Sequence, residues 1–339
     1  MLRTQTRTMD AWDIVSGTAK ALLPEPAIDL ARKVRDRRRA RRALADYLAR
    51  IGAAFPDVSY RSAWLIDEGN DYAIVNLDDS LVFRFPRNGD SADLKREVRL
   101  LENLRARTSI SVPNYLYMTD TFGGYPMLQG RPLDVEVLRN LNESETETVL
   151  TQLASFLSAL HSTEHDIIAR ADGSVPHTAP HQLFADGYYG EQRDRLESLV
   201  DTDLRRSLER FYAESPLPDA PRLRLVHGDL KPSHVFLLPE SHQLAVIDFG
   251  DVSAADPAID FTFLWFFGED CARSVFERYS LASEDPEIVE RARQLLPRLG
   301  VKRLLWRFAN PQRYSPDQQA KAITLLRQEL AAAGFADGH

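Results

Sequence analysis

Cysteine is almost missing from this chain. One thiol, Cys271, stands among 339 residues, so neither a disulfide framework nor a cysteine-built zinc site is available. Long apolar runs are missing too: the longest nearly unbroken one, Phe261 to Phe267, is far short of the ~20 residues that span a bilayer. No start resembling a secretory signal is present, because Asp10 and Asp13 interrupt the N-terminus. Together these absences imply a cytoplasmic protein in a reducing compartment. There is no internal repeat, and the one biased tract is a run of arginines.

What is present is ordinary for a folded chain. Apolar residues make up 44 % and charged residues 27 %, which excludes wholesale disorder. The length suits two lobes around sizeable cores. Forty-two Lys and Arg face fifty Asp and Glu, a formal net charge of −8. The charge is uneven. Residues 1–50 carry twelve basic and six acidic side chains, and the run from Arg32 to Arg42 holds most of the basic ones. That run reads either as a patch for an anionic surface or as a solvated helix leading into the first domain. The acidic remainder argues against a nucleic-acid partner.

Along the chain, two regions differ. Residues 60–66, 72–77 and 81–85 are β-rich segments separated by the turn signals AspGluGlyAsnAsp (67–71) and AspAspSer (78–80). They predict a three-strand meander. A helix is expected over 91–105, where Leu94, Val98, Leu101 and Leu104 form one apolar face and Ser91 is a suitable cap. Further strands are expected over 112–129. Beyond them the periodicity becomes helical: 144–161, much of 180–213, then 259–280 and 284–335, the last broken at Pro297 and at Asn310–Pro311. The expected organisation is a basic leader over 1–50, a sheet-rich N-terminal lobe over 51–128 and a mostly helical C-terminal lobe over 129–339.

The chemistry gathers in residues 225–260. An apolar run at 235–238, a polar turn and a second run at 244–247 predict a hairpin. Asp229 and His234 precede its first strand, and Asp248 ends its second. Two carboxylates held apart at one sheet edge suit magnesium-assisted phosphoryl transfer, in which one handles the acceptor's proton and the other holds the metal. The alternative is a hydrogen-bonded polar corner. HisGlyAsp, then His234, then AspPheGlyAsp fourteen residues on is a specific spacing.

HisGlyAspLeuLysProSerHis (227–234) and IleAspPheGlyAspValSerAlaAlaAspProAlaIleAspPhe (247–261) resemble the aminoglycoside phosphotransferase family, a branch of the protein-kinase-like fold. The resemblance covers roughly residues 58–335 in lobe order, with about forty residues in specific motifs. It implies an α+β, bilobal kinase-like fold, with a small antiparallel sheet in the N-lobe and a larger, mainly helical C-lobe. Asp229 would be the catalytic base, Asp248 the main Mg²⁺ ligand and His234 the second. His at that position resembles the aminoglycoside 2″-phosphotransferases and macrolide phosphotransferases, and counts against the 3′ branch. Mg²⁺ prefers oxygen to imidazole, so His234 would contact the metal weakly, bind through water or orient Asp229. His227 would brace the loop, and Asp256 and Asp260 would fix it through backbone hydrogen bonds and capping.

The same resemblance assigns nucleotide contacts. Where the family usually shows Lys, Arg84 stands, able to hold phosphate bidentately. Its partner would be Glu97, with Lys95 or Arg87 as other candidate cations. Tyr125, Met127 and Leu128 would frame the base. The implied donor is ATP or GTP, and the acceptor a hydroxyl on a small molecule. No activation segment of the protein-kinase kind follows AspPheGly. Asp251, Glu269 and Asp270 would meet the ammonium groups of an aminoglycoside; a macrolide, or a sugar or amino-alcohol metabolite, is the alternative acceptor. The further alternative is a catalytically silent binding protein that keeps the lobes.

Overall fold

The computed structural model describes residues 25–66, 71–89, 91–176, 186–216, 222–239 and 242–336. The turn at 67–71 lies, but for Asp71, outside the described residues, and 25–38 are described as backbone only. The chain forms two compact units. One holds the described residues up to Asn88 together with Tyr117–Gly124; the other holds Gly89–Leu116 and the chain from Tyr125 on.

The first unit opens with a long helix, α1 (Glu25–Ala54). An antiparallel sheet follows, from β1 (Ala63–Ile66), β2 (Tyr72–Leu77) and β3 (Leu81–Pro86), then β4 (Tyr117–Met118) and β5 (Gly123–Pro126), in the order β1-β2-β3-β5-β4. The β2–β3 turn forms because Asp78 and Asp79 both accept positive φ, 54° and 51°, the backbone that closes a tight hairpin. Asp78 also accepts the backbone N–H groups of Arg61 and Ser62 at 2.8 and 2.6 Å. Val75, Leu77, Phe83, Phe85 and Phe122 are buried on one face of the sheet, with Leu44, Tyr47, Leu48 and Ile51 of α1 packed against them. Gly124 leaves no room there: a Cβ on it would stand 2.5 Å from the Phe83 ring. Gly124→Ala should therefore cost about 1–3 kcal/mol by overpacking. Urea denaturation would show this as a lower midpoint at unchanged slope, and a midpoint equal to that of the parent protein would contradict it.

The second unit is mostly helical. Its first helix, α2 (Ala92–Arg105), buries Leu94, Leu100, Leu101 and Leu104, close to the expected face, although Ser91 makes no side-chain cap hydrogen bond. A three-stranded sheet follows from β6 (Arg131–Pro132), β8 (Val235–Leu237) and β9 (Leu244–Val246), and a two-stranded one from β7 (Arg224–Val226) and β10 (Ser253–Ala255). Around them stand α3 (Val135–Arg139), α4 (Glu143–His161), α5 (Asp186–Leu199), α6 (Thr202–Glu214), α7 (Ala258–Leu264), α8 (Glu269–Arg278), α9 (Ile288–Ala309) and α10 (Pro316–Ala332). Asn142 and Glu145 close a capping box on α4. Phe261, Phe263, Leu264 and Phe267 are buried in this unit's core.

One expectation fails. Pro297 does not break the last region: α9 runs through it. A proline inside a helix forfeits one backbone hydrogen bond. Here Leu295, Leu296 and Leu299 on the same turns are buried, and that apolar burial outweighs the loss. The break at Asn310–Pro311 is real, and α10 restarts with Ser315 in a second capping box. No helix among the described residues is long and apolar enough to cross a membrane.

Candidate functional site

The predicted hairpin is present, pairing Val235 with Val246, Phe236 with Ala245 and Leu237 with Leu244. Before it, Pro232–His234 form one turn of 3₁₀ helix. After it, Asp248 adopts the left-handed conformation, φ 67° and ψ 66°. A non-glycine residue held there stores of order 1–3 kcal/mol and persists only where its surroundings impose it. Phe249, next in the chain, is buried beside Phe156 and the His227 ring, which anchors the turn and leaves Asp248 half exposed.

These two turns bring Asp229, His234 and Asp248 together. One ligand atom from each can be chosen so that all lie within 4.8 Å of one another, the one such group of His, Cys, Asp and Glu among the described residues. His234 is fixed by its Nδ1, 2.9 Å from the Asp229 carbonyl oxygen. A carbonyl only accepts, so Nδ1 carries the proton and Nε2 is left with its lone pair. That Nε2 lies 3.4 Å from Asp248 Oδ2. Burial holds the His234 pKa below the usual imidazole value and the Lys231 charge adds to it, against the pull of Asp248 and Asp229. A neutral imidazole nitrogen thus faces a carboxylate oxygen, two acceptors side by side. Such a pair is satisfied by a cation, so the donor set fits a divalent metal.

The backbone around Asp229 is held from beneath. Asp260, fully buried in the first turn of α7, accepts the His227 and Gly228 N–H groups at 2.8 and 2.9 Å. It also faces His161 Nε2 at 3.1 Å, while His161 Nδ1 meets the Tyr279 hydroxyl at 2.8 Å. Burial opposes the charge of Asp260, but His161 and these donors prevail and hold its pKa below the ordinary value. His227 braces the loop as expected: its Nε2 donates to the Ile247 carbonyl at 3.1 Å and its Nδ1 accepts the Asp229 N–H at 3.3 Å. Asp256 accepts the Ala258 N–H at 2.9 Å and is buried in a triad with Arg291 and Asp285.

Two cations in this neighbourhood escaped the sequence reading. Lys231 donates to Asp229 Oδ2 at 2.6 Å; it lies inside the HisGlyAspLeuLysPro motif, so the signal was there. Lys302, on α9, has Asp251, Asp229 and Lys231 as its charged neighbours. It is seventy-three positions beyond Asp229, and no local pattern marks it.

The other predicted site residues are more scattered. Asp251 joins the cluster: it packs on the loop that carries Asp229 so closely that a Cβ on Gly228 would meet its carbonyl oxygen at 3.0 Å. Burial pushes its pKa up, and Asp229 and Asp248 push the same way. Glu269 turns back on its own helix, taking Arg273 Nε and Nη2 at 3.0 and 2.7 Å, and Asp270 is exposed beside it in the first turn of α8. Arg84, buried on β3 in the first unit, places its guanidinium 4.0 Å from the centroid of the Tyr72 ring. Glu97, buried on α2 in the second unit, accepts the Tyr115 hydroxyl at 3.1 Å. Met127 is exposed and Leu128 half-buried in the segment after β5.

An aminoglycoside 2″-phosphotransferase solved with GDP and kanamycin superposes with a TM-score of 0.68 at 26 % identity, covering 84 % of this chain and 98 % of that one. The macrolide 2′-phosphotransferase of Brachybacterium faecium shares the fold, with a TM-score of 0.55 at 21 % identity over 83 % of this chain and 98 % of that one. The uncharacterised protein YcbJ of Bacillus subtilis (strain 168) is 27 % identical over 241 residues, 66 % of this chain and 77 % of its own. The fold is kinase-like, and the chain is an enzyme that transfers a phosphoryl group to a hydroxyl. The model of the phosphotransferase enzyme family matches residues 65–296, and the chain belongs to that family.

Proposed function

We propose that this protein is a magnesium-dependent kinase of small molecules that moves the terminal phosphate of ATP or GTP onto an acceptor hydroxyl, with Asp229 as base. One observation carries this reading: Asp229, His234 and Asp248 offer ligand atoms within 4.8 Å of one another, the spacing that suits a single cation, and one carboxylate of the set keeps an oxygen to spare. Lys231 occupies Oδ2 of Asp229; no described residue hydrogen-bonds Oδ1. That oxygen accepts the acceptor's proton while the new P–O bond forms and the bond to the departing nucleoside diphosphate breaks. Lys231 holds the carboxylate in place through the transfer.

Asp248 and His234 are the residues that would hold the metal. When bound there, magnesium neutralises nucleotide phosphate oxygens. Arg84 is proposed to meet the phosphates, Glu97 to support the nucleotide half, and Met127 and Leu128 to border the base. The GDP bound in the similar 2″-phosphotransferases supports a purine nucleoside triphosphate as donor. Kanamycin in one of them supports an aminoglycoside acceptor; the charges around Asp229 weigh the other way.

Asp248→Asn tests the metal half without reading turnover. Removing a charged ligand should weaken nucleotide binding in magnesium by at least about tenfold, roughly 1.4 kcal/mol, while binding in the absence of divalent ions stays the same. Calorimetry that finds equal magnesium-nucleotide affinity in both proteins would remove Asp248 from the site.

A further inference from the structure

A hollow of about 390 Å³ opens along α4, and no residue of the phosphoryl-transfer site lines it. Along one side run Ser155, Ser158 and Ser162, spaced by single turns up to the helix C-cap. Arg107, Arg278 and Ser280 line it as well.

Arg107 is fixed before any ligand arrives. Its Nη1 donates to Asn103 Oδ1 at 3.2 Å and to Thr163 Oγ1 at 2.6 Å, and its Nη2 donates to Ser162 Oγ at 2.6 Å. A guanidinium has five N–H groups, so one on Nε and one on Nη2 are unspent. Among the described residues no carboxylate pairs with Arg107. Arg278 differs. Its Nε and Nη2 donate to Glu147 at 2.9 and 2.5 Å, and its Nη1 donates to the Ser274 carbonyl at 2.6 Å; Glu277 comes only to 3.8 Å. One N–H remains on each terminal nitrogen of Arg278, but its charge is compensated, and the uncompensated charge is that of Arg107.

The hydroxyls add donors. Ser158 Oγ donates to the Ala154 carbonyl at 2.7 Å and accepts the Ser280 N–H at 3.0 Å. The Ser155 and Ser280 hydroxyls bond to no described residue. The hollow therefore holds unspent donors, one uncompensated cation and no carboxylate without a partner. An oxyanion matches that set, because charged donors and an ionised acceptor make the stronger hydrogen bonds.

We propose that this hollow binds a phosphate-type oxyanion, either inorganic phosphate or the end of a phosphate monoester, with Arg107 as the charged contact and Ser155 and Ser280 as hydroxyl donors. The site is separate from phosphoryl transfer and does not rest on the kinase reading. Ser162 and Ser280 directly follow His161 and Tyr279, which meet beside Asp260, so an occupant would join two segments that support the Asp229 loop.

The test follows heat denaturation of the full chain at constant ionic strength, with magnesium and ADP or GDP present to fill the nucleotide site. Inorganic phosphate and glycerol phosphate are the probes and chloride is the control. Phosphate should raise Tm saturably, as a ligand of the folded state does, and whichever probe acts at the lower concentration identifies the source. Arg107→Met should raise the half-saturating concentration by at least about tenfold, the loss of charge-assisted hydrogen bonds, and Arg107→Lys should recover part of it. Arg107 also ties Ser162 to Thr163, so Ser155→Glu serves as the second variant. It removes none of the Arg107 bonds, places a carboxylate in the hollow and should abolish the response. A shift no larger than that of chloride with either probe would overturn the site, and so would an undiminished response in Ser155→Glu.

Discussion

Replacing Asp229 by Asn should lower kcat by about 10²–10⁴, the usual contribution of a positioned general base. The amide keeps the volume and one acceptor for Lys231, whose ammonium lies 2.6 Å from the carboxylate, so the loop should stay in place. What disappears is the basic oxygen proposed to take the acceptor's proton. Since Asp248 and His234 remain, magnesium-nucleotide affinity should change by no more than about threefold. The pairing of a large loss in kcat with intact nucleotide binding separates a base from a structural acid, which would weaken both. Steady-state kinetics beside calorimetry reads the two quantities, and turnover within tenfold of the parent enzyme would remove Asp229 from the role.

The site was legible because its residues are close in sequence. Asp229, His234 and Asp248 fall within twenty positions, and a hairpin of matched apolar runs, 235–237 against 244–246, is enough to fold them together. The fold was legible for a related reason: β2 and β3 are consecutive, and the AspAsp turn between them has the chemistry for positive φ. Lys302 was not legible, because helix packing alone carries α9 to the loop and an amphipathic period says nothing of which neighbour a helix meets. The His161–Asp260–Tyr279 network was hidden in the same way, joining three elements far apart in the chain. Pro297 misled because proline's local cost is visible in sequence and the burial that offsets it is not. Glu269 and Asp270 stood out as acids by sign alone, and the Arg273 that takes up Glu269 one turn later is a helical i,i+4 pair, equally readable from the spacing.

Asp260 carries the second large effect, on stability as well as rate. Its two oxygens serve three donors: the backbone N–H groups of His227 and Gly228, at 2.8 and 2.9 Å, and His161 Nε2 at 3.1 Å. Both Asp260 and His161 side chains are sealed from water. Asn in its place offers one accepting oxygen, and its amide then presses N–H against N–H in a dry interior. Breaking a buried pair in this way costs about 3–5 kcal/mol, so Asp260→Asn should lower the apparent Tm by roughly 5–10 °C. The lost bonds are those that seat Gly228, one residue before Asp229, so kcat should fall while nucleotide affinity holds. The pH dependence has a definite sign. A carboxyl held below its ordinary pKa of 3.8 in the folded chain binds fewer protons there than when unfolded. Its stabilisation is therefore fully present well above pH 3.8 and fades as pH falls through the lower folded value. The stability gap between parent and Asp260→Asn should be widest near pH 7 and narrow in acid below about pH 3.8. A gap of the same size at both ends, measured by urea denaturation, would mean that the charge of Asp260 is not what holds the loop.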